Sequence, residues 1–430
     1  MSERGPDPLS APERAALMEQ KLRRLPVAPQ SPPSLRRLPL ADAARDVDRA
    51  WRPIYCVWEI TLACDLACRH CGSRAGHARQ DELSTEECLD VVRQLAELGV
   101  QEITLIGGEA YLREDWVEIV AAIRKHGMIA TMTTGGRGIT AERARAAADA
   151  GLQRVSVSID GAEATHDRLR GVPGSHRAAV EALAHLQDAG LRLSANTQIN
   201  RLSMPELPEV LETIAGAGAS SWQIQITVPM GRAADEPEVL LQPYDLLELF
   251  PMLGRLKQRG DELGVMLWPG NNIGYFGPFE STLKGTMPGG HGGSCGAGRN
   301  LIAVEADGAI KGCPSLPTRD WTGGNVRDAS LLDVWERATA LRYTRDRTVE
   351  DLWGYCRTCY YADECRAGCT WTSFTTFGKA GNNPYCHHRA LMMQRAGKRE
   401  RLVKRSEAPG EPFDYGRFDL IVEDAKGTSE

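Results

Sequence analysis

Three cysteines have the type and spacing to support redox chemistry. Cys64, Cys68 and Cys71 follow an apolar run at 55–61. Three thiolates leave one position of a four-ligand site without a protein ligand. This arrangement suits an iron–sulfur cluster with one open iron, because an open iron can bind a small molecule and pass it an electron. The triplet therefore predicts an iron–sulfur cluster that takes part in chemistry.

A second group of cysteines lies in the last third of the chain. Seven thiolates could fill one four-cysteine site and leave three for another. A Cys-x-x-Cys pair followed by two more cysteines is also typical of structural zinc, so zinc is an alternative for this segment alone. The upstream triplet favours iron–sulfur. The seven are Cys295, Cys313, Cys356, Cys359, Cys365, Cys369 and Cys386.

Two other cysteines fit neither group. Cys56 lies in the first apolar run, and Cys88 lies in the first turn of a helical stretch. Free cysteine packs as a small hydrophobic residue. Both are predicted to be thiols of the core.

The segment from Trp51 to about Val228 alternates strand patterns with amphipathic helical patterns. Such repeats predict a parallel sheet with right-handed crossovers, here an α/β fold curled into a partial (β/α)6 TIM-like barrel. The predicted strands are 55–61, 102–106, 129–134, 154–159, 191–199 and 221–228. The predicted helices are 85–98, 113–126, 141–150, 176–189 and 204–217.

Several motifs follow these strands directly. The cysteine triplet follows the first strand, Gly107-Gly108-Glu109 follows the second, and Ser158-Ile159-Asp160 closes the fourth. In parallel barrels the chemistry lies at the carboxyl ends of the strands. The motifs are therefore expected to converge at one barrel mouth.

The chain divides into five regions by composition. Residues 1–50 are predicted to be a partly disordered arm with a short helix at 12–25. The barrel covers 51–235, and a bridging helix, strand and glycine-rich loop cover 236–294. The cysteine-rich module covers 295–390. A C-terminal helix and a polar tail complete the chain at 391–430.

Charge and composition exclude several partners. The net charge is -6 and there is no long basic block, so no nucleic-acid partner is expected. The apolar runs are too short to span a bilayer, so no membrane partner is expected. The N-terminus does not have the order of a secretory signal, and twelve cysteines in such a chain are typical of a reducing compartment. A cytoplasmic location is expected.

These motifs together resemble a radical SAM enzyme with a C-terminal SPASM domain. The resemblance covers roughly residues 53–390, including Gly308 and the seven later cysteines. It implies that Cys64, Cys68 and Cys71 hold a [4Fe–4S] cluster whose fourth iron binds S-adenosyl-L-methionine. Reductive cleavage would then give a 5′-deoxyadenosyl radical that abstracts hydrogen from the substrate.

The resemblance also implies two auxiliary [4Fe–4S] clusters. One would have four thiolates and the other three, with His291, a water or a substrate group as the fourth ligand. For the protein as a whole, a non-catalytic iron–sulfur electron carrier is the alternative to an enzyme. Such a carrier would not need the Gly-Gly-Glu motif. The complete set is Cys356, Cys359, Cys365 and Cys386, and the open set is Cys295, Cys313 and Cys369.

The family pattern assigns further contacts with S-adenosylmethionine. Gly107-Gly108-Glu109 would receive the methionine amino group, although Ala110 replaces the usual proline. Ser158 would contact the ribose or the carboxylate. Arg170 would contact the carboxylate, with a solvated loop arginine as the alternative. His70 would lie beside the adenine, with a surface histidine as the alternative. No catalytic acid or base is identified.

The residues in and around these motifs are similar to those of maturases of ribosomally made peptides (RiPPs), the mycofactocin-type maturases among them. A precursor peptide is thus the expected substrate, and a cross-link or a related change the expected modification. A sulfatase-maturase-like enzyme is an alternative that Pro314 disfavours, because those enzymes carry aspartate there. A small-molecule haem- or quinone-type precursor is another alternative.

Two kinds of protein partner are expected besides the precursor peptide. Fifty N-terminal residues look too short for a leader-recognition domain. A separate leader-binding protein is therefore expected to deliver the precursor. A reductant such as flavodoxin or ferredoxin is expected to supply the electron.

Overall fold

A computed structural model describes residues 40–274, 277–285 and 295–425. Its main sheet has ten strands in the order β10-β9-β8-β1-β2-β3-β4-β5-β6-β7. Strands β1 to β7 are parallel, β8 is parallel to β1, and β9 and β10 are antiparallel. The strands are β1 Tyr55–Glu59, β2 Glu102–Ile106, β3 Ile129–Thr134, β4 Arg154–Ser158, β5 Arg192–Ile199, β6 Ser221–Ile226, β7 Met266–Pro269, β8 Leu301–Val304, β9 Ala309–Lys311 and β10 Gly324–Asn325.

Helices connect the parallel strands and pack on the sheet in one hydrophobic core. In the described ranges, no helix has both the length and the apolar character needed to cross a membrane. The helices of these ranges, including those outside the barrel, span Asp46–Ala50, Thr85–Leu98, Trp116–Lys125, Ala141–Asp149, Glu163–Arg170, Ser175–Asp188, Leu207–Gly216, Arg232–Asp235, Leu246–Leu263, Glu280–Lys284, Thr318–Trp321, Leu331–Arg337, Thr339–Asp346, Ala362–Cys365, Thr370–Phe377 and His387–Arg395.

Strand β5 shows how the sheet separates a core face from a polar lumen. Leu193 and Ala195 are buried in the core. The alternate residues Asn196 and Gln198 line a cavity at the barrel mouth. Successive side chains of a strand point to opposite faces, so one short sequence supplies both surfaces. The predicted partial barrel is confirmed.

The sheet extends beyond the six predicted strands at both edges. Strand β7 lies in the predicted bridging region and pairs with β6. Strand β8 lies in the cysteine-rich module and pairs with β1. Unpaired strand edges expose backbone donors and acceptors, and these additions satisfy them. The structure thus joins segments that the sequence division separated.

The structure contains elements that were not predicted, among them a helix at the site and a hairpin near the C-terminus. The helix Glu163–Arg170 carries Arg170 as its last residue. After the helix His387–Arg395 the chain forms a hairpin of β11 (Lys398–Ser406) and β12 (Arg417–Asp424), where the prediction was a polar tail. Long charged side chains conceal the strand pattern. One face of β11 nevertheless packs inward, because Glu400 is buried and forms an ion pair with Arg389 at 2.7 Å.

Part of the predicted arm packs against the cysteine-rich module. Asp48 is fully buried and lies 2.8 Å from Arg342 and 3.1 Å from Arg345. Ala41 donates its N–H to the carbonyl of Arg337. The helix predicted at 12–25 lies outside the described residues.

Candidate active site

The barrel mouth encloses a cavity of about 280 Å³. It lies where the parallel strands end, as expected for such a sheet. All nine barrel residues that the sequence analysis selected line this cavity. They are Cys64, Cys68, Cys71, His70, Gly107, Gly108, Glu109, Ser158 and Arg170.

The backbone of the cysteine segment is held by hydrogen bonds with residues at the ends of two helices. Arg232 donates from Nε to the carbonyl of Cys68 at 2.6 Å and from both terminal nitrogens to Ala75. The N–H of Ala67 donates to the carbonyl of Arg170 at 3.0 Å. The three thiols are close enough for each to affect the others' ionisation, and burial raises the pKa of Cys68 to about 11. A bound cationic metal would reverse this shift by favouring thiolates.

The two glycines after β2 are required by close backbone packing. A Cβ at Gly108 would lie 1.8 Å from the carbonyl oxygen of Ala63, and one at Gly107 would lie 2.6 Å from that of Thr61. The sequence analysis assigned these glycines to the approach of a cofactor. The structure adds a second reason, since no other residue lets this loop lie against the cysteine segment.

Glu109 is a buried carboxylate that accepts hydrogen bonds on both oxygens. Thr134 Oγ1 donates to it at 2.5 Å and the N–H of Gly135 at 2.6 Å. Burial raises the pKa of Glu109 to about 7. A neighbouring ammonium would stabilise the ionised form. The site therefore fits an amino group.

Arg170 is buried at the end of its helix, so the solvated-loop alternative is wrong. Its Nη2 lies 2.6 Å from Asp160 Oδ2, and its Nη1 lies 3.7 Å from the sulfur of Cys68. Among the described residues, its Nε–H has no hydrogen-bond acceptor. A buried guanidinium with an unused donor fits a carboxylate ligand.

Asp160 ends the motif that closes the fourth predicted strand, but the sequence analysis gave it no role. It is fully buried, and its Oδ2 lies 3.1 Å from Nε2 of His70. Burial alone would raise the pKa of Asp160, but Arg170, His70 and His166 together outweigh it and hold that pKa far below the usual range. An acidic residue just after a barrel strand was the available signal. The side chain of His70 is only 5% exposed, so the surface-histidine alternative is wrong.

Neutral polar side chains form one part of the cavity wall. Ser158 Oγ donates to Asn196 Oδ1 at 3.1 Å. Gln198, Gln225 and Thr227 also line the cavity. This wall offers amide and hydroxyl groups, which can bind neutral donors and acceptors.

The cysteine-rich module and the hairpin contribute the apolar part of the wall. Trp371 lies two residues after Cys369, and its Nε1 lies 2.9 Å from the sulfur of Met230. Pro314, which follows Cys313, and Phe413 of the hairpin line the same cavity. Barrel and module therefore share one chamber.

The seven later thiols form two spatial groups. Cys295, Cys313 and Cys369 interact electrostatically, and burial raises the pKa of Cys313 to about 12. The second group lines a small cavity of about 30 Å³. His291, the possible further ligand, lies outside the described residues. The second group comprises Cys356, Cys359, Cys365 and Cys386.

Two further predicted thiols lie outside both groups. Cys56 and Cys88 are buried core thiols, as predicted.

Comparison with known proteins is consistent with this geometry. The profile of the Radical SAM superfamily matches residues 58–226, and that of the SPASM iron–sulfur cluster-binding domain matches residues 295–360. The chain is 30% identical to an AdoMet-dependent heme synthase of Oleidesulfovibrio alaskensis, covering 76% of this chain and 86% of that protein. It is 31% identical to the mycofactocin maturase MftC of Mycobacterium tuberculosis, covering 78% and 83%.

A solved structure shares the fold. The crystal structure of Streptococcus suis SuiB bound to the precursor peptide SuiA aligns with a TM-score of 0.58 and 17% identity. The alignment covers 78% of this chain and 74% of that one.

Proposed function

Because the chain belongs to the radical SAM superfamily and carries a SPASM domain, we propose that it matures a ribosomally synthesised precursor peptide. The cofactors are [4Fe–4S] clusters and S-adenosyl-L-methionine. When bound, they supply a 5′-deoxyadenosyl radical that abstracts hydrogen from the substrate. The observation that carries the proposal is the shared chamber, in which residues beside the later cysteines line the same cavity as the cysteine triplet.

The thiols are assigned to three clusters. Cys64, Cys68 and Cys71 hold the cluster that binds S-adenosylmethionine. Two auxiliary clusters take the two spatial groups of later thiols. Their ligands are Cys356, Cys359, Cys365 and Cys386 for the complete site, and Cys295, Cys313 and Cys369 for the other.

The remaining site residues bind and orient the nucleotide. Glu109 receives the amino group, which matches its buried carboxylate with a raised pKa. Arg170 receives the carboxylate, held in place by Asp160. Ser158 and His70 complete the contacts through the ribose or carboxylate and the adenine.

The chemistry of the cavity wall supports a peptide. Amide and hydroxyl side chains such as Asn196 and Gln225 suit the neutral N–H and C=O groups of a peptide backbone. The mycofactocin maturase is a relative of similar length, and SuiB is known with a precursor peptide bound. The installed change is a cross-link or a related modification.

A tetrapyrrole is the second candidate substrate, since relatives are named AdoMet-dependent heme synthases. Such a substrate carries several carboxylates that need cationic partners. The arginines that line the cavity in the described part of the chain are Arg170 and Arg232, and both already bind groups of the protein. The neutral wall therefore favours the peptide.

Co-expression tests the proposal. The full chain is expressed together with the short open reading frames encoded beside its gene. The masses of the peptides that these frames encode are then measured by mass spectrometry. A peptide that loses two hydrogens supports a cross-link. A matched culture expresses the variant with Cys64→Ala, Cys68→Ala and Cys71→Ala, in which the peptide mass must stay unchanged.

Reconstitution separates the two substrates. Anaerobically loaded enzyme with dithionite and S-adenosylmethionine is expected to form 5′-deoxyadenosine, and the precursor should raise this yield. Conversion of a tetrapyrrole with every peptide unchanged would overturn the proposal. Addition of a separate leader-binding protein and of flavodoxin or ferredoxin tests the proposed partners in the same assay.

A further inference from the structure

Phe413 lies in the loop between β11 and β12, outside both matched segments of the chain. It lines the cavity of the cysteine triplet and packs with Val228, Met230 and Trp371. Its φ of 57° lies in the left-handed region, which bulky residues rarely adopt. Strained backbone of this kind clusters at ligand sites. The side chain is therefore held in the chamber at a conformational cost.

The next residue ties this loop to the cysteine segment. Asp414 Oδ1 accepts from Nε of Arg74 at 2.7 Å, and its carbonyl accepts from the N–H of Gly231 at 2.8 Å. Arg74 stands three residues after Cys71. The hairpin loop is thus fixed to the segment that carries the reactive cluster.

A buried cation fixes the ring from another element. Lys311 Nζ lies 4.0 Å from the centroid of the Phe413 ring and forms an ion pair with Glu305. Lys311 itself is fully buried. A cation over an aromatic face is attractive, and more so when desolvated. The ring is positioned both by its backbone and by this contact.

We propose that Phe413 is a substrate-contacting residue that determines specificity. Together with Met230 and Trp371 it forms an apolar surface that packs against the apolar side chain of the peptide residue undergoing reaction. The polar wall formed by Asn196 and Gln198 binds the backbone of that residue. This inference rests on the proposed peptide substrate and names the side chain that the chamber selects.

A double-mutant cycle of binding affinities, in which enzyme and peptide are both varied, tests the contact between Phe413 and the peptide. The probes are a synthetic peptide spanning the modified residue of the co-expressed precursor and the same peptide with that residue replaced by alanine. Affinity is measured with cluster-loaded, unreduced enzyme and S-adenosylmethionine. Phe413→Gly removes the ring at a backbone conformation that glycine adopts freely, and Phe413→Leu keeps an apolar side chain. Phe418→Leu is the control, a buried residue of the same hairpin that does not line this cavity.

The expected result is a coupling between ring and peptide. Phe413→Gly should weaken the native peptide about tenfold, as truncation of a buried contact typically does, and leave the alanine peptide nearly unaffected. Phe413→Leu should give an intermediate loss, and Phe418→Leu none.

The failures are distinguishable. Equal weakening of both peptides, or weakening of neither, with normal binding by the wild type would overturn the role of Phe413 and leave the proposed function intact. No binding of either peptide by the wild type would overturn this inference alone. A precursor that is never modified on co-expression would overturn the proposed function and this inference with it. Iron content and thermal melting show whether each variant is folded and loaded.

Discussion

The guanidinium of Arg170 lies 2.6 Å from the carboxylate of Asp160. The same group approaches the sulfur of Cys68, and Asp160 also accepts the N–H of Gln198 at 2.8 Å. Strand β5, the helix Glu163–Arg170 and the cysteine segment are thereby joined through one buried carboxylate. Asp160 therefore acts as a positioning residue for the proposed contacts with S-adenosylmethionine.

Substitution of Asp160 should affect both binding and stability. Asp160→Asn leaves the buried guanidinium without its counter-charge, a change that costs about 3 kcal/mol in comparable pairs. The dissociation constant for S-adenosylmethionine, measured by equilibrium dialysis with unreduced enzyme, is expected to rise, and the free energy of unfolding to fall. Asp149→Asn, at an exposed helix end, is the control. Unchanged affinity in Asp160→Asn would contradict the positioning role.

Glu109 should make the binding of S-adenosylmethionine depend on pH. Its pKa is raised to about 7 by burial, so protonation below that pH removes the carboxylate that an ammonium requires. The affinity for S-adenosylmethionine should reach its full value above this pKa and should fall about tenfold between pH 7.5 and 6.

Glu109→Gln should abolish this acidic limb of the pH profile. Loss of a charge-assisted hydrogen bond should also weaken binding by about tenfold to a hundredfold. Dialysis at several pH values measures both effects, and Glu97→Gln on an exposed helix face is the control. A profile in Glu109→Gln that still falls below pH 7 would assign the titration to another group.

Gly108 should tolerate no side chain. A Cβ at this position meets the carbonyl of Ala63 at 1.8 Å, so Gly108→Ala must displace the cysteine segment. Overpacking of this kind costs about 1–3 kcal/mol, and the iron content should fall with it. Gly76→Ala is a matched control in the same region, since a Cβ there meets nothing within 4 Å. Normal iron content and melting temperature in Gly108→Ala would contradict this packing.

The complete auxiliary site should be separable from the other clusters. Cys365→Ala removes one of four neighbouring thiols and is expected to lower the iron content by about four atoms per chain. Cys88→Ala, a buried thiol outside every group, should leave it unchanged. Iron and sulfide analysis after anaerobic reconstitution gives the comparison. Retention of all iron in Cys365→Ala would remove this residue from the proposed ligands.

Local signals in the sequence determined much of the barrel. The helix Thr85–Leu98 has the predicted bounds because Ser84 caps its start and Gly99 ends it in the left-handed region. Short apolar, β-rich runs located the strands, and their shared direction brought the cysteine triplet, Glu109 and Ser158 to one mouth. These features depend on neighbours in sequence or on the rule that parallel strands end together.

Long-range contacts determined the rest. The ion pair of Arg74 with Asp414 joins positions 340 residues apart and helps to hold Phe413 at the cavity. The pairing of β8 with β1 likewise fuses the cysteine-rich module to the barrel sheet. The sequence by itself determined the cluster motifs, the barrel and the mouth. Only the tertiary structure decided which distant residues complete the chamber, because a side chain's partners across the fold leave no periodic pattern in its own segment.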